Sequence, residues 1–588
     1  MPPIVHGSKP KNARGALRRL LSYVARYRFP LLAAVAMSFI SNILALLGPS
    51  LAGSAINEAA AGAGRVNFDR VWYFASRMLL CYVSSSLITI AINVIMMHVS
   101  KRIAQNLRGD IFEKLLRMPV GFFDRHAAGD LISRASYDVD VISTSLGTDI
   151  VQILTSAVTI VGSLVMMITI SPPLSLVVLV TIPVSVSYAV WMRKKTRPRF
   201  ARRSRSYGAM NGFVEEMFSG QKTIQAYAYE PHANGRFEQV NGEAADAYFD
   251  ADYYGCTIGP TMGAINNVSL GLVSTLGAVL YMLGSVTLGQ ISSFVLYSRR
   301  FSGPINEIAN MISDIFSALS AAERVFDLLD QEEEGADAPD ARRLDQVMGD
   351  VALDHVAFGY TPDKIVLKDL SLKADAGRLI AIVGPTGAGK TTIINLLMRF
   401  YDPNSGEIRV DDDNIRRFTR SSLRSAYAMV LQDTWVFRGT IYDNIAYGKE
   451  NAAMEEVVAA AKAAHIHSFI MRLPDGYQTV ISEDGGNISK GQKQMLTIAR
   501  AMLYDAHMLI LDEATSNVDT GTERQIQAAM RRLMAGKTCF VIAHRLSTIQ
   551  HADCILVVNQ GDVVEQGTHE ELMQARGFYH QLYTAQFQ

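Results

Sequence analysis

Charge-free segments fill much of the first half of this 588-residue chain, and they constrain its fold more than any other feature. The longest charge-free runs are 29–57, 78–97, 150–192 and 253–298. Pro172-Pro173 divides the third run and glycines near positions 284 and 289 divide the fourth, giving six segments, the last continuing towards position 319. Each segment is about 20 residues or longer, which is the length that crosses a hydrocarbon layer of ~30 Å. We therefore predict an all-α domain of six transmembrane helices. Six such segments in one half disfavour the alternative, a soluble protein with long buried helices.

Basic residues in the connecting segments predict the orientation of these helices. The basic residues of the two long connections, 101–140 and 193–252, include Lys101, Arg102, Arg108, Lys114, Arg117, Arg125, Arg134, Arg193, Lys194, Lys195, Arg197, Arg199, Arg202, Arg203 and Arg205. The alternate connections are short, and Arg65 and Arg70 are their main basic residues. Because basic loops stay on the cytoplasmic side, we expect a multi-pass protein of the inner (plasma) membrane with both termini cytoplasmic. The long connections also have helical character, so helices two to five should extend into the cytoplasm.

Composition shifts predict four parts of the chain. Residues 1–28 are basic, and 14–28 have the amphipathic pattern of a helix lying on the membrane surface. Residues 29–330 are the predicted transmembrane domain, 331–344 an acidic solvated linker, and 345–588 a second domain. That domain alternates short apolar runs with helical stretches, which predicts an α/β fold with a largely parallel sheet and an edge strand at 351–358. The formal net charge is zero, so no nucleic acid partner is expected.

Two arginines interrupt the predicted sixth helix. Arg299 and Arg300 stand just before Gly303-Pro304. A charge at membrane depth is costly and normally faces a wet cavity. The alternative is that both residues lie near the cytoplasmic end of the helix and extend their charged groups to the membrane surface. The sequence leaves both interpretations open.

A phosphate-binding loop is the first motif of the second domain that indicates its chemistry. Its residues are Gly384, Pro385, Thr386, Gly387, Ala388, Gly389, Lys390 and Thr391, which fit the Walker A pattern. An apolar run at 379–383 precedes the loop as a predicted strand, and 392–398 follow as a predicted helix. Glycines let backbone N–H groups surround phosphate oxygens, and the helix directs its positive end at them. Lys390 should contact the β- and γ-phosphates, and the Thr391 hydroxyl can hold Mg²⁺.

Two carboxylates end a later apolar strand. Asp512 and Glu513 follow the run 508–511. An aspartate at the carboxyl end of a strand beside a phosphate loop can hold Mg²⁺, and Glu513 is positioned to polarise a water molecule for attack on the γ-phosphate. Acidic strand ends are common, so this motif gains its meaning from the phosphate loop that precedes it.

The hexapeptide 487–492, Asn-Ile-Ser-Lys-Gly-Gln, resembles the LSGGQ signature of ATP-binding cassette (ABC) transporters. With it, residues 345–588 resemble the nucleotide-binding domain of that family, and the first 330 residues resemble the membrane domain of its exporter-type half-transporters. The resemblance covers nearly the whole chain. It implies an ATPase that drives transport of an amphipathic small molecule, lipid or peptide, with ATP and Mg²⁺ as ligands and a second half-transporter as partner. It also implies short helices that dock on the cassettes in the loops near 122–138 and 220–230.

The resemblance assigns further site residues by position. Tyr360 and Thr392 should contact ATP, as should Ser489, Gly491 and Gln492 from the signature of the opposite subunit. Gln432 should meet Mg²⁺ and the attacking water, while Thr391 and Asp512 complete the metal shell. Glu513 is the expected base and His544 the residue that steadies the γ-phosphate. Glu483 resembles the acidic residue of the loop that touches the partner's cytoplasmic helices. Asp519 ends a segment, 516–519, that resembles the loop crossing between two cassettes.

The signature departs from the family pattern at two positions. Ile488 replaces leucine, a mild change, and Lys490 replaces a glycine that permits close approach to the γ-phosphate. In the family, such altered signatures resemble those of asymmetric pairs, so we expect a non-identical partner with a degenerate catalytic site. A homodimer that tolerates Lys490 is the alternative. Three other functions remain as rivals: an importer on the exporter fold, for example of a metal chelate, a soluble regulatory P-loop ATPase, and an ATP-gated channel.

Overall fold

The computed structural model describes residues 12–62, 65–361, 363–432, 434–482, 486–512, 520–543 and 549–587. The chain forms two compact units. The first comprises the residues up to Met118 together with Phe123–Glu333, and the second comprises Pro119–Phe122 together with Glu334–Gln588.

The described part of the first unit consists of helices and short connections. Its helices are α1 (Ala13–Ala25), α2 (Arg28–Ala59), α3 (Phe68–Leu116), α5 (Ala128–Ile170), α6 (Pro172–Ser219), α7 (Gln221–Ala226), α8 (Glu230–Met282) and α9 (Leu288–Leu329). The short helix α4 (Val120–Arg125) begins in the segment Pro119–Phe122, which belongs to the second unit, and ends in the first. Within α5, Arg134–Asp138 and Ser145–Asp149 form π-helical turns. The short helices α4 and α7 confirm that the two long connections each contain such an element.

Five of these helices are long and apolar enough to span a membrane within the part of the chain that the structure describes: α2, α3, α5, α6 and α8. Helix α9, the predicted sixth span, is not among them, so its crossing stays a prediction. The four helices α3, α5, α6 and α8 contain 43 to 53 residues. At 1.5 Å per residue they reach roughly 65–80 Å, about twice the hydrocarbon thickness. These lengths are compatible with the predicted extension of helices two to five beyond the bilayer, which stays a prediction.

Local sequence explains where these helices begin. Ser171 has an extended backbone and Pro172 occupies the first position of α6, because proline lacks the N–H that a first-turn residue leaves unpaired. The side chains of Asn67 and Thr287 cap α3 and α9 by accepting bonds from backbone N–H groups. Thr287 also forms a reciprocal capping box with Gln290.

A bidentate ion pair fixes the far end of α9 within the first unit. The guanidinium of Arg324 donates to both carboxylate oxygens of Asp138, at 2.9 and 2.5 Å. Asp138 is only 3% exposed. A buried carboxylate is costly without such partners, so this pair restrains α9 against the π-helical turn of α5.

The second unit is built on a ten-stranded sheet with helices around it. Its strands are β1 (Val351–Phe358), β2 (Leu367–Ala374), β3 (Leu379–Val383), β4 (Ser405–Val410), β5 (Asp413–Asn414), β6 (Tyr427–Val430), β7 (Gly439–Thr440), β8 (Val480–Ile481), β9 (Met508–Asp512), β10 (Thr538–Ile542), β11 (Cys554–Asn559) and β12 (Asp562–Gly567). The order in the large sheet is β5-β4-β1-β2-β12-β11-β3-β10-β9-β6, and β7 pairs with β8 separately.

The described part of the second unit also contains helices. They are α10 (Lys390–Leu397), α11 (Arg420–Ser425), α12 (Ile441–Ala446), α13 (Met454–Ala463), α14 (His467–Ile470), α15 (Lys490–Tyr504), α16 (Thr520–Met534), α17 (His569–Ala575) and α18 (Phe578–Phe587), with 3₁₀ turns at Ile415–Arg417 and Gly476–Gln478.

The sheet differs from the sequence prediction in one half. Strands β11, β3, β10, β9 and β6 are parallel, as predicted. Strand β1 pairs antiparallel with both β2 and β4, so the prediction that it forms an edge was wrong. Its mostly alternating pattern has a different cause: Val351, Leu353, Val356 and Phe358 pack into a core beneath this antiparallel part, with a register shift between Leu353 and Val356.

Acidic residues of the linker are held on the second unit. Glu334 accepts a 2.9 Å bond from Arg424, and Asp337 accepts from the backbone N–H and the side chain of Arg420. Arg420 also donates to the carbonyl of Gly335. Two arginines of α11 therefore bind 334–337, a stretch of the predicted solvated linker whose residues remain exposed or partly exposed.

Candidate nucleotide site

The phosphate loop lies between a buried strand and a helix, as the sequence predicts. Strand β3 is buried along Ile380–Val383, and α10 begins at Lys390. Gly389, the residue before the helix, has φ of 107°, a backbone conformation that favours glycine. At Gly384 a Cβ atom would lie 2.1 Å from the carbonyl oxygen of Val558 on β11. Both positions therefore require glycine, one for its conformation and one for the neighbouring strand.

Lys390 is folded back over the loop it follows. Its Nζ atom donates to the carbonyl oxygens of Gly384 and Pro385, at 2.7 and 3.0 Å. Burial lowers the pKa of Lys390, and the nearby charge of Asp512 opposes this change. The ammonium group is thus anchored where the N-terminus of α10 concentrates backbone N–H donors, which is an arrangement suited to a phosphate.

One cavity of about 710 Å³ collects half of the predicted site residues. Its lining includes Tyr360, Thr386, Gly387, Gly389, Lys390, Thr391, Thr392, Gln432 and Asp512. The carboxyl ends of parallel strands explain this convergence, because β3 precedes the loop, Gln432 follows β6 and Asp512 ends β9. Gly384 and Pro385 line an adjoining cavity of about 190 Å³. Ala388 points into the core and is 3% exposed.

Tyr360 is held from two directions at the edge of this cavity. Its hydroxyl lies 3.2 Å from the Thr392 hydroxyl and accepts a 3.1 Å bond from the Asn395 side chain. Its ring packs edge-to-face against Phe358 and Tyr401, with centroids 5.0 Å apart in each case. The side chain remains 45% exposed. A fixed and partly exposed aromatic ring can stack on a nucleotide base.

The signature segment is built into a helix start. Ser489 caps α15 (Lys490–Tyr504) by accepting from the N–H of Gln492, and the Gln492 side chain accepts a 2.8 Å bond from the N–H of Ser489. Gly491 is buried, and Lys490 is exposed at the first helical position. Ser489, Gly491 and Gln492 are not among the residues that line the 710 Å³ cavity in the described part of the chain.

Two family models match the chain in the same order as its two units. The model of the ABC transporter transmembrane region matches residues 31–305, and the ABC transporter model matches residues 367–516. Together they cover most of the chain. The chain belongs to the ABC transporter family. This transporter has an ATPase cassette coupled to a membrane domain in the half-transporter arrangement of ABC exporters.

Relatives of known sequence span almost all of the transporter. It is 42% identical over 581 residues to the uncharacterized ABC transporter ATP-binding protein YfiC of Bacillus subtilis, covering 99% of this chain and 96% of that protein. It is 45% identical over 476 residues to the fatty acid ABC transporter ATP-binding/permease protein of Mycobacterium tuberculosis, covering 81% and 75% of the two chains. A solved structure of a bacterial Atm1-family ABC exporter with ATP bound matches with a TM-score of 0.77 and 30% identity, over 96% and 99% of the chains.

The donor set of the transporter's cavity fits a magnesium ion. The Thr391 hydroxyl, the Gln432 amide oxygen and the Asp512 carboxylate line the same cavity as Lys390. Mg²⁺ prefers such oxygen ligands and is usually held by one or two protein groups together with substrate phosphates. These residues could therefore hold the ion against a bound nucleotide.

Sequence reasoning missed three polar residues of this site, Thr361, Lys364 and Asn395. Lys364 lines the cavity at a tight turn that pairs it with Thr361, and Asn395 donates to the Tyr360 hydroxyl. Asn395 could have been found from its spacing, because it lies three residues after Thr392 and so shares a face of α10. Lys364 carries no comparable local signal.

Four predicted residues lie outside the described residues. These are Glu483, Glu513, Asp519 and His544. Their neighbours Asp512 and Ala543 end or follow adjacent parallel strands, β9 and β10. The roles of the four residues therefore remain predictions from the sequence.

Proposed function

We propose that this transporter binds ATP and Mg²⁺ in the 710 Å³ cavity and uses ATP hydrolysis to export an amphipathic molecule. The observation that carries the proposal is the convergence of Tyr360, Lys390, Gln432 and Asp512 on that cavity. In this proposal Tyr360 stacks on the base, and Lys390 with the loop N–H groups binds the phosphates. Thr391, Gln432 and Asp512 hold the metal ion, which neutralises phosphate charge when it is bound.

We assign hydrolysis itself to two residues that follow strands β9 and β10 in the sequence. Glu513 would act as the general base for the attacking water, and His544 would steady the γ-phosphate. Asp519 and the signature residues Ser489, Gly491 and Gln492 would act across a dimer interface. The signature residues do not line the described cavity of their own chain, which supports a role opposite a second half-transporter.

The membrane topology is part of the same proposal. Helix α9 would be the sixth span, which gives an even number of crossings and places both termini on the cytoplasmic face of the inner membrane. The basic connections support this orientation. The amphipathic cargo is supported by the fatty acid transporter that the chain resembles.

Inside-out membrane vesicles provide the direct test. We expect external Mg²⁺-ATP to drive uptake of a fluorescent fatty acid into vesicles that contain the co-expressed transporter complex. Vesicles with Lys390→Ala are the matched control, because that variant keeps the membrane domain unchanged. ATP-driven loss of preloaded probe would instead identify an importer. ATP-dependent single-channel currents without accumulation would identify a channel.

A further inference from the structure

Pro49 leaves a backbone carbonyl of α2 without its normal partner. Proline has no N–H, so the carbonyl oxygen four residues earlier, that of Ala45, loses its helical hydrogen bond. Lipid cannot replace that bond, since hydrocarbon offers no donors. A second element must therefore supply one.

Helix α9 supplies donors along one face. Arg300 donates from Nη1 to the Ala45 carbonyl at 2.6 Å, and the Tyr297 hydroxyl donates to the Leu46 carbonyl at 2.5 Å. One turn away, the Ser293 hydroxyl donates to the carbonyl of Pro49 itself at 2.8 Å. Positions 293, 297 and 300 have the i, i+4, i+7 spacing of a single helix face. We call these three bonds the proline latch.

The charge of Arg300 is accommodated without an acid. Its guanidinium carbon lies 5.5 Å from the centroid of the Tyr82 ring on α3. The structure's described residues include no carboxylate that pairs with Arg300. Arg300 is about twelve residues, or roughly 18 Å, from the start of α9 at the short loop. If α9 is the sixth span, as proposed above, this position lies inside a hydrocarbon layer of ~30 Å and not at its cytoplasmic end. Its position therefore follows from the freed carbonyl of Ala45.

The two helices also approach each other closely next to the latch. A Cβ atom on Gly53 would lie 2.4 Å from the carbonyl oxygen of Gly289 and 1.9 Å from the Ser293 hydroxyl. The N–H of Gly289 also donates to the Asn57 side chain at 2.7 Å. The seam thus runs from Arg300 to the short loops that end α2 and begin α9, covering roughly 18 Å of membrane depth.

We propose that the three bonds of the proline latch form a reversible gate: they hold α2 and α9 together at their short-loop ends in one transport state and break in the other, in which the opened seam admits water that hydrogen-bonds to the freed carbonyls. A transporter that alternates its access must open a helix seam on each side of the membrane in turn. Three hydrogen bonds to carbonyls beside a proline can be broken singly, unlike an apolar interface of similar length. Arg300 is a positioning residue in this proposal, since it acts through α2.

Distance measurements between spin labels can test the gate directly. Labels at Ala60 and Ser285, which are exposed beyond the seam, would report on its opening in the full-length complex in lipid nanodiscs. The four native cysteines are replaced in this background. Without nucleotide, Arg300→Met should raise the fraction of long distances about three- to tenfold. Tyr297→Phe removes only a hydroxyl and should raise the fraction of long distances by a smaller factor. This variant replaces Arg300→Met in the test if Arg300→Met protein does not fold.

The decisive comparison is made in protein that also carries Pro49→Ala. This substitution restores a backbone N–H for the Ala45 carbonyl, so Arg300→Met should change the distances little in Pro49→Ala protein. Arg299→Met is the matched control, because Arg299 is exposed and takes no part in the latch. The proposal fails if Arg300→Met leaves the distances unchanged. It also fails if Arg300→Met shifts them equally with and without the Pro49→Ala substitution, since a general packing role would do so.

Discussion

The Tyr360 hydroxyl lies 3.2 Å from the hydroxyl of Thr392, on the first turn of the helix that follows the phosphate loop. The side chain proposed to contact the base is therefore tied to the helix proposed to contact the phosphates. Asn395, one turn further along, donates to the same hydroxyl. The two ends of a bound nucleotide would then be held by one connected group of side chains.

Two substitutions of Tyr360 separate the roles of its ring and its hydroxyl. Tyr360→Ala should weaken ATP binding about tenfold or more, because stacking on a base contributes about 1–3 kcal/mol. Tyr360→Phe should weaken it by less than about threefold, since the ring and its packing on Phe358 and Tyr401 remain. Equilibrium binding of a fluorescent ATP analogue to the purified transporter measures both. Equal losses in the two variants would show that the hydroxyl, not the ring, matters for binding.

Lys390→Ala should reduce ATP turnover at this chain's site about 100-fold or more. The substitution removes a charge-assisted contact to the phosphates and leaves the backbone N–H donors in place. Lys364→Ala is the comparison, since Lys364 lines the same cavity away from the phosphate loop and its loss should cost less than about tenfold. Turnover is measured with the partner's own site disabled. Near-normal turnover of Lys390→Ala would contradict the assigned role.

The sequence was sufficient to predict which residues gather at this cavity because they form one local loop or lie at strand ends. Gly384 to Thr391 form one continuous loop, and Gln432 and Asp512 each follow an apolar run. Parallel strands bring such ends to one edge whatever their order in the sheet. The contact of Asn395 with Tyr360 could not be predicted in the same way, because it depends on how a loop after β1 lies across α10.

The position of β1 and the latch of Arg300 also lay beyond sequence reasoning. Alternation in 351–358 indicates one buried face but does not show which strands pair at its edges. For Arg300 the sequence left two environments open. The deciding fact was Pro49, far earlier in the chain. It frees the carbonyl of Ala45, which accepts a hydrogen bond from the guanidinium. Such pairings are set by helix packing and leave no local pattern.

Arg424→Met should destabilise the second unit by about 1–3 kcal/mol, because Arg424 donates to Glu334 and to the carbonyl oxygens of Met398 and Arg399. The substitution removes this donor from the two carbonyls and leaves Glu334 only a longer ion pair with Arg420, at 3.8 Å. The thermal unfolding midpoint should fall by a few degrees. Arg343→Met is the matched control, because the Arg343–Asp345 pair is 80% and 77% exposed and should contribute almost nothing. A similar shift in both variants would show that Glu334 is not held specifically.

Glu513→Gln should leave ATP binding intact and stop hydrolysis. The amide keeps the size of the side chain and removes the base that would accept a proton from the attacking water. We expect turnover to fall at least about 100-fold while ATP remains bound in a stoichiometric complex, measured by retention of labelled nucleotide. Turnover at about a tenth or more of the normal rate would show that the water is activated by another group, with His544 as the next candidate.

Lys490 predicts that the working transporter is a pair of unlike chains. Lys490 is exposed at the first position of α15, where the cap residue Ser489 and the helix N-terminus form the face that the signature presents. Because this signature does not line the described cavity of its own chain, its altered residue should affect the partner's ATP and not the ATP bound at Lys390. This chain's site, with Asp512 and Glu513, should then hydrolyse ATP while the partner's site mainly holds it.

Expression of the chain alone distinguishes this pair from a homodimer. We expect the isolated chain to lack ATPase activity above about a tenth of the co-expressed complex, and its mass in lipid nanodiscs to show no stable dimer. Lys490→Gly is the informative variant in the complex. It should raise hydrolysis only if the partner has its own catalytic glutamate, because the glycine permits close approach to the partner's γ-phosphate but supplies no base. An active, stable homodimer of the unaltered chain would refute the prediction, and it would mean that Ser489 and Gly491 suffice to meet the phosphate beside a lysine.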